Sequence, residues 1–280
     1  MERYESHAGY IKPDLPVIFH SFRIEKKETD TRQSPPYIHW HENIELLYII
    51  KGRARIIMDQ AEVVADCGQI AVINSSHIHT VVLDEGCESL EYCCLIIDGA
   101  FLQNFGLDVE KTVFERLVDD AEMVESYRKI AEEMREKDLH YDAEVRADVV
   151  ALMVLLFRRH TSFNKSVEEG ASNRKLAIVK NVLRYLHKHY KEEVPLCEIS
   201  EAVGFNKYYL SHLFKETVGY SMVQYLNHLR CSYARSLLRA ESYTVAEIAE
   251  MCGFENPSYF SRTYKKHMGI LPHEDRGEAR

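Results

Sequence analysis

The sequence predicts an α+β chain: an N-terminal β-barrel with a helical hairpin, then an all-α region containing two helix-turn-helix units. Three observations lead there. Between Val17 and Ile97, short runs rich in β-branched and aromatic residues alternate with turn signals, the pattern of a small barrel or sandwich. Beyond Asp98 the apolar residues recur at helical spacing. Near the C-terminal end, one short segment returns about 50 residues later with its pattern intact. At 280 residues, the chain is long enough for two domains with separate cores.

The strand candidates are Ile38–Ile50, Arg53–Met58, Gln69–Ile73, Thr80–Leu83 and Ser89–Ile97. Between them stand Lys51-Gly52, Asp66-Cys67-Gly68, Asn74-Ser75-Ser76 and Asp84-Glu85-Gly86, all turn chemistry. Two helices follow, about Asp120–Lys137 and Asp142–Arg159, joined as a hairpin. In the second, Val145, Val149, Leu152, Met153 and Leu156 form one apolar stripe. Val150, Val154, Leu155 and Phe157 form much of another. A helix apolar on two sides must be covered on two sides. One cover is the barrel, and a second copy of the chain is the expected other, which makes a homodimer; the alternative is burial within one subunit.

The expected divisions are a barrel over 1–118, a hairpin over 119–160, a polar linker over 161–172 and the helical region over 173–280. Charge changes at the linker. From Asn173 onward there are 16 Lys+Arg against 12 Asp+Glu, leaving 19 against 32 in the first 172 residues. An acidic front and a mildly basic back suit a sensor joined to a polyanion binder. Met1 to Pro16 carries scattered charge and no apolar stretch, which argues against a signal peptide. The longest strongly apolar run, Val149–Phe157, is far short of the roughly 20 residues a membrane span needs. Seven scattered cysteines without metal-type pairing fit reduced thiols in a cytoplasmic protein.

The repeat sets Gly204-Phe205-Asn206-Lys207-Tyr208-Tyr209-Leu210-Ser211-His212-Leu213-Phe214-Lys215 against Gly253-Phe254-Glu255-Asn256-Pro257-Ser258-Tyr259-Phe260-Ser261-Arg262-Thr263-Tyr264-Lys265. Each copy reads as a helix-turn-helix. Pro195 suits the opening turn of the first unit, and Thr244 with Glu247 forms a capping box in the second. Gly204 and Gly253 let the leading helices end in a left-handed residue, and Phe205 and Phe254 are placed to plug the corners. In the following helices Tyr208, Ser211, His212 and Lys215 share one polar face, as do Ser258, Ser261, Arg262 and Lys265. Leu210, Leu213 and Phe214, and then Phe260 and Tyr264, point the other way. A recognition helix needs this division, with one face anchored and the other offering donors to base edges. Arg262 suits a bidentate contact to guanine or a phosphate contact.

At these residues Asn173–Arg276 resembles the DNA-binding domain of the AraC/XylS regulators. The matching run includes Gln224-Tyr225-Leu226-Asn227-His228-Leu229-Arg230, Ala234-Arg235-Ser236-Leu237-Leu238, Ile248-Ala249-Glu250 and Gly269-Ile270-Leu271-Pro272. The resemblance implies that both recognition helices enter major-groove segments of double-stranded DNA. By position, Tyr208, Ser211 and His212 in the first unit and Pro257, Ser258, Ser261 and Arg262 in the second would face bases. A central helix, about Met222 to Leu238 and so roughly 25 Å long, would set their separation. Two departures stand out: Ser200 replaces a usual alanine, and Asp275 replaces the usual aromatic near the end.

In the N-terminal half, His39, His41 and Glu45 share parity if they lie on one strand, and His79 comes from a later one. Three imidazoles and a carboxylate suit Zn, Fe, Mn or Ni. The spacing from His39 to Gly52 resembles the first motif of cupin barrels, and Gly68–His79 loosely resembles the second, without its usual proline. The resemblance leaves two readings open, a bound divalent metal or a metal-free effector pocket of the kind that senses a small molecule, often a sugar. Parity places Trp40 and Tyr48 opposite His39, and His77 reads as a loop residue. The expected function is a ligand-responsive, DNA-binding transcription regulator, not an enzyme, with RNA polymerase a further candidate partner. A metal-dependent cupin enzyme with an accessory DNA-binding region is the alternative.

Overall fold

The computed structural model describes residues 15–25, 38, 40–59, 61–162, 171–239 and 243–277. The chain divides into two compact units, the first holding the described residues 15–162 and the second 171–277. Of the span expected as a linker, residues 163–170 lie outside the described residues. Thr161 still pairs with Phe114 in the first unit, and a helix already begins at Ala171 in the second.

The first unit contains eight strands among the described residues: β1 Val17–Glu25, β2 Ile44–Lys51, β3 Arg53–Met58, β4 Ala61–Asp66, β5 Ile70–Ile73, β6 His79–Leu83, β7 Ser89–Ile97 and β8 Leu117–Val118. They form two antiparallel sheets, β1-β7-β2-β5-β8 and β4-β3-β6. Alternation along the strands assigns each residue to a face. Leu47 and Ile49 of β2 join Ala54, Ile56 and Met58 of β3, Ile73 of β5 and Cys94 and Ile96 of β7 in the core between the sheets. Ile44, Leu46 and Tyr48 point the opposite way, with Leu95 and Ile97.

That outer face is covered by helices. After the short α1 Gly99–Gln103 come α2 Ala121–Glu136 and α3 Tyr141–Arg159, the expected hairpin with slightly tighter ends. Asp120 caps α2 by accepting from the Glu122 and Met123 amides. Val145, Val149, Leu152, Met153 and Leu156 of α3 are all buried against the sheet and α2. Each such aliphatic side chain contributes about 1.5–3 kcal/mol on full burial. The second stripe, Val150, Val154, Leu155 and Phe157, is only half-buried.

Three features differ from the sequence expectation. The run Ile38–Ile50 is not one strand, because β2 starts at Ile44 and the described residues before it are irregular. The β4 strand, which the sequence reading does not single out, closes a tight hairpin on β3 through Asp59 at φ 52°. The chain also returns to the sheet as β8 after α1, a pairing made by tertiary context rather than by a local signal.

The second unit is all helical: α4 Ala171–His189, α5 Leu196–Val203, α6 Lys207–Val218, α7 Met222–Arg239, α8 Val245–Met251, α9 Pro257–Met268 and α10 Pro272–Gly277. Pro195 is the residue before α5 rather than its first helical residue, and the Thr244–Glu247 capping box opens α8. No helix among the described residues is long and apolar enough to cross a membrane.

Candidate functional site

The two helix-turn-helix units match in burial register as well as in sequence pattern. Both α6 and α9 run for 12 residues, are capped by asparagine (Asn206 and Asn256) and end in a left-handed glycine (Gly219 and Gly269). Burial along 211–220 repeats position by position along 261–270. Leu210, Leu213, Phe214 and Val218 are buried in the first unit, and Phe260, Thr263, Tyr264 and Met268 in the second. The opposite faces are open. Tyr208 is 74% exposed, and His212 and Lys215 are exposed beside the half-buried Ser211. Pro257, Ser258, Arg262 and Lys265 are exposed beside the half-buried Ser261.

Ser261 Oγ lies 3.0 Å from the Pro257 carbonyl and donates to it, which leaves its lone pairs to accept. Arg262 Nε lies 3.3 Å from the Ser258 carbonyl, and its other guanidinium nitrogens extend from the same face. A groove of about 350 Å³ lies beside Arg262, lined by Gln224 and Asn227 of α7 and by Tyr259, Thr263, Lys266 and His267 of α9. Neither Tyr259 nor Lys266 is among the residues expected from the sequence to meet DNA. Their signal was the one-turn spacing from Arg262 toward α7.

The corners are closed unequally. Gly204 and Gly253 both have the expected positive φ, 77° and 82°. Phe254 is buried under the Arg230 guanidinium and beside Phe260. Phe205, expected to plug the first corner, is instead 40% exposed and leans on Tyr209, itself 42% exposed. Among the described residues, the first corner has no counterpart of the Arg230 contact. Its closure comes from Ser200, whose hydroxyl donates to the Phe205 carbonyl at 2.5 Å, giving the replaced alanine position a role.

The second departure, Asp275, also has a structural reason. Its carboxylate is buried, accepts from the Tyr264 hydroxyl at 2.6 Å, and lies 2.9 Å from Arg235 Nε, off the N–H axis. A charge replaces an aromatic ring, and an α7 arginine balances it.

In the barrel, His41, Glu45 and His79 come together, and His39 lies outside the described residues. Glu45 is the second residue of β2, on the inward face with Leu47 and Ile49, and is 1% exposed. Its Oε2 lies 2.8 Å from His41 Nε2 and 3.0 Å from His79 Nε2. His41 reaches it from the irregular segment before β2 rather than by strand parity, held there by the Ser76 amide donating to its carbonyl. His79 is the first residue of β6, paired with Met58. Tyr48 faces the helices, near Tyr127 and Arg128, as parity requires. Trp40 is buried, with Nε1 donating to the Ser76 carbonyl, and His77 occupies the loop before β6.

The donor chemistry of this cluster fits a divalent metal. His41 Nδ1 lies 3.0 Å from the Asn43 carbonyl and His79 Nδ1 2.9 Å from the His77 carbonyl. A carbonyl only accepts, so each Nδ1 carries a proton, and each Nε2 is turned to the Glu45 carboxylate, where a divalent cation seated between them would take the lone pairs of both. Metal-ligating imidazoles are held in this way by an outer partner. The three ligand atoms lie within 4.8 Å of one another. Two imidazoles and a carboxylate suit Zn, Fe, Mn or Ni.

Comparison with known proteins adds family and fold. Residues 19–153 match the AraC-like ligand binding domain, and residues 199–278 match a helix-turn-helix domain. YdiP of Escherichia coli, an uncharacterized HTH-type transcriptional regulator, is 25% identical over 85% of this chain and 80% of its own length. YisR of Bacillus subtilis, described in the same words, is 30% identical over 50% of this chain and 49% of its own. The chain therefore spans about half of that relative. Among solved structures, ToxT from Vibrio cholerae bound to an unsaturated fatty acid matches 93% of this chain and 94% of its own, with a TM-score of 0.52 and 15% identity. At that identity the likeness concerns the fold.

Proposed function

For a chain that belongs to the AraC family of helix-turn-helix transcriptional regulators, as its two matched domains establish, we propose binding to specific double-stranded DNA through α6 and α9, governed by an effector in the N-terminal barrel. The duplicated unit carries this reading. Two helices with the same caps, length and burial register each bury one face and leave donors on the other. A solvated helix face has no need of such matching.

Tyr208, Ser211, His212, Pro257, Ser258, Ser261 and Arg262 are assigned to base edges. Lys215 and Lys265 sit toward the C-terminal ends of their helices and are assigned to phosphates. The barrel's polar set, His41, Glu45 and His79, is assigned to the effector, and a small molecule such as a sugar fits the family's ligand-binding domain. Val150 and Val154, with the exposed Ala147 and Ala151 beside them, leave a half-covered strip on α3 that a second copy would bury. The protein then acts as a homodimer in the cytoplasm, with RNA polymerase as its partner at promoters. This family of DNA-binding regulators gives the alternative of an enzyme no support.

Selection of genomic fragments by the purified full chain, followed by footprinting, tests the proposal. Arg262→Ala is expected to weaken the selected complex by about 1–3 kcal/mol and relax one base position. Lys265→Ala is expected to weaken binding evenly across sequences and reduce the salt slope by about one. No preference for any fragment over random competitor would overturn it.

A further inference from the structure

Glu45 has two carboxylate oxygens, and the structure uses them differently. Oε2 is the one on which His41 Nε2 and His79 Nε2 converge, at 2.8 and 3.0 Å. Oε1 accepts from the Cys94 thiol, at 2.8 Å. Cys94 sits on the neighbouring strand β7, where it pairs with Leu47, two residues along β2 from Glu45. It is fully buried on the same inward face as Ile96 and Tyr92. A thiol hydrogen bond to one oxygen fixes the carboxylate plane and leaves the other oxygen aimed at the histidine pair.

From this division of labour we propose that Cys94 is a positioning residue for a divalent transition-metal ion held by His41 Nε2, Glu45 Oε2 and His79 Nε2. The proposal deepens the assignment of the barrel as the sensor and rests on it. Three outer contacts then serve three ligands: the Asn43 carbonyl orients His41, the His77 carbonyl orients His79, and the Cys94 thiol orients Glu45. Each fixes the far atom of a ligand so that its near atom presents a lone pair inward, which is how outer partners prepare a metal site. Cys94 stays a donor to Glu45 and does not become a fourth ligand, since its sulfur faces Oε1 rather than the Nε2 atoms.

Cobalt(II) is the probe, titrated into the full chain after chelator treatment and followed by visible absorption and calorimetry. One ion per chain is expected, with the weak ligand-field bands of nitrogen and oxygen donors and no thiolate-to-cobalt charge-transfer band. Glu45→Gln should abolish binding. Cys94→Ala and Cys94→Val, which remove the donor while keeping an apolar core residue, should weaken it about 10- to 100-fold. Cys94→Ser, which restores an O–H donor, should recover most of that loss. Melting of each metal-free variant reports its folding, and the metal-induced rise reports binding separately.

Cobalt uptake by none of the proteins overturns the metal site, while selection of specific DNA by the same preparation leaves the regulator assignment standing. A charge-transfer band makes Cys94 a ligand and overturns its positioning role. Equal affinity in wild type, Cys94→Ala and Cys94→Val does the same.

Discussion

Replacing Asp275 by alanine should unfold the DNA-binding unit more readily than any surface change in it. The Asp275 carboxylate is 2% exposed and lies 2.9 Å from the Nε of Arg235, itself 6% exposed. It also receives the Tyr264 hydroxyl, and burial together with this carboxylate pushes the Tyr264 phenol up, so it remains a donor. Truncation leaves a buried guanidinium without its counter-charge and a buried hydroxyl without its acceptor. Removing one partner of such a pair costs about 3–5 kcal/mol. Domains of this size have about 5–15 kcal/mol in total, so the loss is a large share and lowers the melting point by on the order of 20 °C. Urea titration of the full chain, followed by far-UV circular dichroism, reads it in the helical transition. Arg235→Met with Asp275→Leu should restore most of the stability, because the penalty lies in the unpaired charge and not in the missing contact. A loss below about 1 kcal/mol for Asp275→Ala, or strictly additive losses in the Arg235→Ala and Asp275→Ala cycle, would refute the reasoning.

Three further outcomes rest on other parts of the molecule. Gly253→Ala should cost clearly more than Gly204→Ala in equilibrium unfolding: both glycines carry positive φ, but an added Cβ at 253 would meet the Lys191 and Tyr190 carbonyl oxygens at 2.7 and 2.8 Å, whereas at 204 it meets nothing. Burial alone would raise the Asp120 carboxyl, but the Met123 and Glu122 amides, His160 and Arg159 outweigh it and pull it down to about 2. Because the folded value lies below the unfolded one, its stabilisation is complete above about pH 4 and fades as pH falls toward 2, so acid titrations of wild type and Asp120→Asn should converge there. Finally, α7 has 18 residues and spans about 27 Å, short of the 34 Å between successive major-groove faces, so a permuted-site gel assay should report bent operator DNA.

Much of the helical unit was legible because its code is local. Glycine at a helix end, a capping box, and apolar residues at three- and four-residue spacing are all written within a dozen positions, and α5, α6, α8 and α9 follow them closely. What escaped depends on distant partners. Asp275 looked like a departure because its partner Arg235 lies 40 residues earlier on another helix. In the barrel, the Glu45–His79 meeting could be guessed from spacing, yet Cys94 could not, since only the β2–β7 register brings it beside a carboxylate 49 residues away. His41 joins the cluster by a route other than strand parity. Strand parity suggested it, but the segment before β2 is irregular, and a loop fastened by the Ser76 amide delivers it instead.

The two DNA-facing units share a code but not a degree of restraint, and Arg230 explains the difference. From the middle of α7 its Nε donates to the Tyr190 carbonyl at 2.7 Å and its Nη2 to the Glu192 carbonyl at 2.6 Å. Its guanidinium also covers the Phe254 ring. One half-buried side chain thus ties the end of α4, the central helix and the second corner together, and Gly253 is pressed against the same stretch of backbone. A guanidinium suits this position because its planar fork can satisfy two carbonyls while its face stacks on an aromatic ring. At the first corner, Phe205 stays half exposed and Ser200 supplies one hydrogen bond where the second unit has several contacts. Matching burial along α6 and α9 therefore sets what each helix presents, whereas unequal corners set how firmly it is held: α9 is fixed to the central helix α7, and α6 has the looser seat.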